Sequence, residues 1–272
     1  MNNNTKITLF NTNDLLDIYK DNSYLLIFVG NENAFRKGHI PNSMHIDPSE
    51  IICGSLPIPG KLPSEKKLLA LINKLGVSSE KKIVIYDDEG GGWAGRMIWT
   101  LEILNYQNLF FLNGGLNAWY SENKPIGSGD SITTHFPFIN SINIDHSKLI
   151  STEKLIKLIN DNNVKIWDAR SNEEYKGEKY TADRNGHIPG AINLDWNSLK
   201  DFNNNLKLKP LDEISYMLEN AGFKKENIII THCQSHHRSG LTYIVGKLLE
   251  YNMFAYDGSW SEWGNRNDTP IE

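Results

Sequence analysis

Apolar residues along this chain fall into two alternating patterns. Ile228 to Ile230 form a short β-branched run of the kind that makes a buried parallel strand. From Leu241 the spacing changes: Leu241, Ile244, Val245, Leu248 and Leu249 fall on one face of a helix. The same alternation runs through the first half. Thr12 or Asn13 caps a predicted helix containing Asp14 to Tyr19, and Tyr24 to Val29 reads as a strand. Leu68, Leu69, Leu71, Ile72 and Leu75 mark a helix closed by Gly76. A strand at Ile83 to Tyr86 follows, then a helix carrying Met97, Ile98, Leu101 and Leu104, then a strand at Leu109 to Leu112. In the second half Ser151 caps a helix with Leu155, Ile156, Leu158 and Ile159, and Val164 to Trp167 make a strand. Strands alternating with helices predict parallel βαβ units.

The pattern is written twice. Gly38-His39-Ile40-Pro41-Asn42-Ser43 matches Gly186-His187-Ile188-Pro189-Gly190-Ala191. Asn113-Gly114-Gly115-Leu116-Asn117-Ala118-Trp119 matches Asp257-Gly258-Ser259-Trp260-Ser261-Glu262-Trp263. Two copies of one α/β domain follow, each with a central parallel sheet and helices on both faces. Their expected extents are 1–122 and 146–272. Residues 123–145, with Pro125, Gly127, Gly129 and Pro137 but also Phe136, Phe138 and Ile139, read as a linker lying along a domain surface. His39 and His187 recur in both copies and read as structural. Trp260 and Trp263 read as packing residues, and Trp196 as a core residue or a flank of the site.

Composition narrows the class. The 272 residues are 39% hydrophobic with a formal charge of −5, which suits a soluble protein and argues against nucleic acid as a partner. No apolar run approaches a membrane span, and the start lacks a signal-peptide pattern. The two cysteines, Cys53 and Cys233, set no disulfide framework, so a cytoplasmic protein without membrane association is expected. Cys53 reads as a small structural or surface residue.

Candidate chemistry lies in the loop Cys233-Gln234-Ser235-His236-His237-Arg238. A thiol between a strand's carboxyl end and a helix start faces unpaired amides and a positive dipole, which favour thiolate. Arg238 adds a fixed charge. Cys233 therefore reads as an activated nucleophile. Three uses compete. Cysteine phosphatases use Cys-x5-Arg, and Arg238 comes one residue too soon. A tighter amide ring suits a smaller guest, such as one sulfur atom. Zinc on His232, Cys233, His236 and His237 fits poorly, because adjacent residues do not easily surround an ion; no metal and no cofactor are expected.

Gly90, Gly92 and Gly95 satisfy G-x-G-x-x-G, but Asp87, Asp88 and Glu89 would repel a pyrophosphate. The repeat places Asp88 where the second copy has Cys233, and Arg96 where it has Arg238. The first loop then has no nucleophile. Arg170 ends the strand read from Val164 through Asp168-Ala169-Arg170, at the edge that holds Cys233. It reads either as a cation for an anionic substrate or as a partner of Glu173 or Glu174.

The active loop, the doubled Gly-His-Ile-Pro segments and the carboxyl-terminal Asp-Gly-Ser-Trp motif together resemble the two-domain rhodaneses, in the bacterial variety with a His-His-Arg loop. The resemblance implies five-stranded sheets, an inactive first domain and an active second one. It implies transfer of the sulfane sulfur of thiosulfate through a Cys233 persulfide to cyanide or a thiol, with 3-mercaptopyruvate as the alternative donor. Substrate contacts are then expected from Arg170, Arg238, His236, His237, Gln234 and Ser235, with loop amides from Gln234 to Arg238 cradling the sulfur. His236 and His237 would add positive charge as pH falls. A monomer is expected, with a sulfur-accepting protein as a possible partner. A phosphatase or arsenate reductase, and a non-catalytic binding module, are the readings from other classes.

Overall fold

The computed structural model describes residues 7–76, 78–133 and 138–272. Phe136 and Pro137 of the expected linker, and the residues before Ile7 that bear on a leader, lie outside them. The first domain runs β1 (Ile7–Phe10), α1 (Thr12–Leu16), β2 (Tyr24–Val29), α2 (Glu32–Lys37), β3 (Ser43–Ile46), α3 (Glu65–Leu75), β4 (Lys82–Tyr86), α4 (Gly92–Ile103), β5 (Leu109–Leu112) and α5 (Gly115–Ser121). The second runs α6 (Thr152–Leu158), β6 (Val164–Asp168), α7 (Asn172–Tyr175), β7 (Ile192–Asn193), a small hairpin of β8 (Lys200–Asp201) and β9 (Lys207–Leu208), α8 (Leu211–Ala221), β10 (Ile228–His232), α9 (Arg238–Leu248), β11 (Asn252–Ala255) and α10 (Ser259–Trp263).

The first sheet has order β1-β5-β4-β2-β3 and is parallel throughout. The second has four strands, β11-β10-β6-β7, also parallel, rather than the five expected. Where the first sheet carries β1, the second keeps a single bridge, Leu149 to Ala255. The first helix also differs from expectation. Asn11 is its cap, and the Asp14 carboxylate accepts the Asn11 amide at 2.7 Å. The Ser151 hydroxyl caps α6, accepting the Lys154 amide at 3.2 Å.

Repeat motifs repeat in space. His39 stacks on Phe35 at 3.8 Å and bonds its carbonyl at 2.8 Å; His187 stacks on Tyr175 at 3.7 Å and bonds its carbonyl at 3.0 Å. Each motif's last tryptophan donates its indole N–H to a proline carbonyl at 2.7 Å, Trp119 to Pro125 and Trp263 to Pro270. Between the domains, Ile139 exchanges hydrogen bonds with Asn73 of α3, and His39 pairs with Gly127.

Helical spacing predicts one apolar face for α9, yet the structure buries every residue from Ser239 to Gly246. The reason is α4, which crosses α9 on the side away from its own sheet. One core runs from Ile27 and Ile85 through Met97 and Leu101 to Leu241, Ile244 and Ile229. The crossing is close because both helices carry glycine there. A Cβ on Gly95 would stand 2.2 Å from the Gly240 carbonyl, and one on Gly240 would stand 2.4 Å from the Gly92 oxygen. Buried Glu102 of α4 accepts the Tyr243 hydroxyl at 2.8 Å and the Lys247 ammonium at 3.0 Å. The two loops that precede these helices are thereby brought face to face.

Candidate active site

Cys233 follows β10 directly, and α9 begins at Arg238. Its Sγ is almost fully buried, with 1% of the residue exposed. The loop is shaped from below by Ser259. That serine has φ +53°, and its hydroxyl accepts the amides of Cys233 at 3.3 Å and His236 at 3.0 Å. His236 itself sits at φ +54°. Trp260 and Ser261 donate their amides to the carbonyls of Cys233 and Gln234. Loop and carboxyl-terminal motif are one structure, so the sulfur's surroundings are fixed before any ligand arrives.

Burial by itself pushes the Cys233 thiol up. The Arg238 charge, the Ser239 hydroxyl 3.5 Å from Sγ, and the amides of Ser239 and Ser235 outweigh it. The thiol ends below its ordinary value of 9.0. Donors to the sulfur thus include Ser239, one position beyond the loop as read from sequence. Iodoacetamide alkylation of Cys233, followed against pH, should reach half its limiting rate below pH 9.0, because thiolate is the reacting form. A midpoint above that value would show that burial wins.

The predicted contacts take different places. Arg238 forms a forked pair with the Glu174 carboxylate, at 2.5 and 2.8 Å, and its side chain stays 20% exposed. Arg170 is fully buried. It pairs with Asp168, Nη2 to Oδ2 at 2.6 Å, rather than with Glu173 or Glu174; it also donates to the Gly186 carbonyl at 2.8 Å and stacks 4.3 Å from Trp260. The strand's last acid turns inward, and the arginine two positions on closes over it. Gln234 is engaged at both ends by Thr181, at 2.8 and 2.7 Å. Ser235 is half-buried against the first domain.

The paired histidines separate. His236 is buried, its Nδ1 2.8 Å from the Ser239 hydroxyl and its ring edge-on to Trp99 at 4.5 Å. Burial, with Arg96 and His237 nearby, drives its pKa well below the usual range, so it is neutral and adds no charge as pH falls. His237 is half-exposed on the rim. It stacks on Trp93 at 4.2 Å, faces Trp196 at 5.7 Å and bonds the Glu89 carboxylate of the first domain. Trp196 therefore flanks the loop, with the Lys200 ammonium 3.3 Å from its ring centre. His232, His236 and His237 point to three different partners, and among the described residues no cluster of His, Cys, Asp or Glu is arranged to hold a metal. Cys53 is a free, half-buried thiol against the carbonyls of Ile58 and Pro59.

Strand register corrects one equivalence. Ile85 lies beside Phe111 as Thr231 lies beside Ala255. The Leu116 amide reaches the Asp87 carbonyl as the Trp260 amide reaches that of Cys233. Asp87, not Asp88, stands in the place of Cys233. Its carboxylate fills its own loop, accepting amides of Glu89, Gly90, Gly91 and Ala94 at 2.8–3.2 Å. α4 begins at Gly92, so Arg96 lies inside the helix rather than at a loop end. The first loop is an amide ring closed by a side chain of its own.

A buried thiol at a strand end, among amides and an arginine, on a duplicated parallel α/β frame defines a two-domain protein of the rhodanese family of sulfurtransferases. The chain belongs to that family: the rhodanese-like domain matches residues 11–122 and again 151–266. It is 40% identical over 249 residues to the thiosulfate sulfurtransferase of Azotobacter vinelandii, across 91% of this chain and 90% of that protein. Identity to the thiosulfate sulfurtransferase of Pseudomonas aeruginosa is 39% over 257 residues, again across 91% and 90%. The crystal structure of YnjE shares the fold, with a TM-score of 0.86 at 20% identity over 97% of this chain and 68% of that one. No helix among the described residues is long and apolar enough to cross a membrane.

Proposed function

We propose that the protein is a thiosulfate sulfurtransferase with Cys233 as its nucleophile. The observation that carries this reading is a buried thiol biased toward thiolate inside a loop whose amides and Ser239 hydroxyl converge on one sulfur position. Cys233 thiolate attacks the outer sulfur of thiosulfate. The sulfur–sulfur bond of the donor breaks, its electron pair leaves with sulfite, and Cys233 keeps the transferred atom as a persulfide. Cyanide, or a thiol in its deprotonated form, then attacks the terminal sulfur and returns Cys233 thiolate. The same amides that favour the thiolate favour the persulfide anion. Arg238, partly exposed at the mouth, is the cation placed to meet the departing dianion. Arg170 and His236 serve differently, as buried supports. The thiosulfate sulfurtransferases among the relatives favour this donor over 3-mercaptopyruvate, as does a site whose open charge is cationic.

Reduced protein incubated with thiosulfate and weighed intact should gain one sulfur atom, lost again on adding cyanide. Gain with 3-mercaptopyruvate alone would move the donor assignment, and turnover of an aryl phosphate with no sulfur gained would overturn the reading.

A further inference from the structure

Arg96 is the largest charged group of α4 and is wholly buried between the domains. Its hydrogen bonds go to main-chain carbonyls rather than to a carboxylate: Nε to Ile51 at 3.2 Å and Nη1 to Gly60 at 2.7 Å. Its guanidinium stacks on Trp99 of the same helix, 4.7 Å from the ring centre. Burying a charge without a counter-charge in contact is unfavourable. Burial pulls its pKa down to about 10, partly offset by Asp257 and the nearby cysteines, so it stays charged at neutral pH. So expensive a group calls for a reason beyond filling space.

Two of these three contacts, Gly60 and Trp99, lead to the sulfur. Gly60 closes the turn between Cys53 and Lys61, whose ends pair at 2.8 Å. The turn rests on the active loop with no side chain between them: a Cβ on Gly60 would stand 2.2 Å from the Ser235 carbonyl oxygen and 2.8 Å from its Cα. The Ser235 amide is one of the donors to Cys233. On the other side, Trp99 meets the edge of His236 at 4.5 Å, His236 meets the Ser239 hydroxyl at 2.8 Å, and that hydroxyl faces Sγ at 3.5 Å.

We propose that Arg96, from the domain without a nucleophile, is a positioning residue for the sulfur cradle: it clamps the Gly60 turn and the Trp99 ring against Ser235 and His236, and so aims their donors at Cys233. The inference rests on the persulfide reading above and deepens it. It gives the first domain a part in the chemistry, since an arginine inside its α4 braces the loop of the second domain.

Around Cys233 the charged and titratable groups are Arg238 and Glu174 at the mouth, Asp168, Arg170 and His232 beneath, His236 and His237 in the loop, and Arg96 and Asp257 from the interface. The test compares Arg96→Met, Arg96→Lys and Gly60→Ala with wild type by two readouts. One is the pH midpoint of iodoacetamide alkylation at the Cys233 peptide, which needs no sulfur donor. The other is the rate of persulfide loading from thiosulfate at pH 7. Arg96→Met should raise the midpoint by about one unit, through loss of a nearby charge, and slow loading about tenfold. Arg96→Lys keeps the charge without the clamp, so loading should slow while the midpoint rises less than in Arg96→Met. Gly60→Ala should slow loading and raise the midpoint, by displacing the Ser235 amide from Cys233. A folded Arg96→Met, or Arg96→Lys and Gly60→Ala together, with wild-type loading and midpoint would overturn the proposal. Wild-type protein that takes up no sulfur would instead sink the persulfide reading, while the midpoints would still decide whether Arg96 tunes Cys233.

Discussion

Cys233→Ala should fold like the parent and transfer no sulfur, with turnover of thiosulfate and cyanide down at least ~1,000-fold, since no other group can carry the covalent intermediate. The loop does not depend on the thiol. The Cys233 amide still reaches the Ser259 hydroxyl, its carbonyl still accepts from Trp260, and Ser239 keeps His236 as a partner. Loss of a small buried side chain then costs about 1 kcal/mol in a thermal melt. Cys53 offers no detour, because its thiol faces the Ile58 and Pro59 carbonyls rather than an amide ring. Turnover surviving in Cys233→Ala would place the chemistry elsewhere.

Much of the frame was legible because parallel strands and their covering helices leave strong apolar periods. β2, β4, β5, β6 and β10 lie where those periods put them. The predicted elements omit α8, although Leu211, Ile214 and Leu218 show the same helical spacing. Short edge strands are a different matter. β3 reads Ser-Met-His-Ile, β7 has two residues, and β11 reads Asn-Met-Phe-Ala. Such segments become strands because a neighbour offers a ladder, which no local pattern records. The full burial of α9 was hidden for a related reason: its second partner, α4, lies far away in sequence.

The site was half legible. A cysteine between strand and helix start is a local feature, and so is Arg238 at the first position of α9. Matching the loops by residue type pairs Arg96 with Arg238 and so misplaces Asp88; strand register assigns Asp87, and the two loops then reach their helix starts at Gly92 and Arg238 over the same length. Ser239 could have been found, since a hydroxyl beside the arginine at a helix start is well placed to face the preceding loop. Ser259 carries a weaker sign, standing where the first repeat has Gly115 in the same left-handed conformation. Glu89 beside His237 depends on how the two domains dock, and Arg96 on Gly60 joins distant parts of the first domain. Nothing near them in the sequence announces either pair.

Arg238→Ala should cost both activity and stability, and the two losses should separate in a double variant. Glu174 is almost buried, with its side chain 4% exposed, and Arg238 is its forked partner. Burial pushes the Glu174 carboxyl up, but Arg238 and the Ser171 amide hold it below its ordinary value of 4.5. Removing the arginine leaves that carboxylate buried without its counter-charge, which costs about 3–5 kcal/mol. The pH dependence gives the sign. In wild type the depressed Glu174 pKa contributes stability present above the unfolded value and lost as pH falls through the folded value. In Arg238→Ala the carboxyl is raised instead, so the deficit against wild type should be full at pH 7 and shrink as acid protonates Glu174. Adding Glu174→Gln removes the buried charge and should restore most of the stability. Activity should not follow. Without Arg238 the thiolate loses its largest stabilising influence and the departing anion loses its cation, so sulfur loading at pH 7 should stay about 100-fold down in both variants. Denaturant melts from pH 7 to pH 4, beside loading rates, check both halves. Full recovery of loading by the double variant would mean that Arg238 acts only as the partner of Glu174. A deficit that did not shrink in acid would mean that the buried carboxylate is not its source.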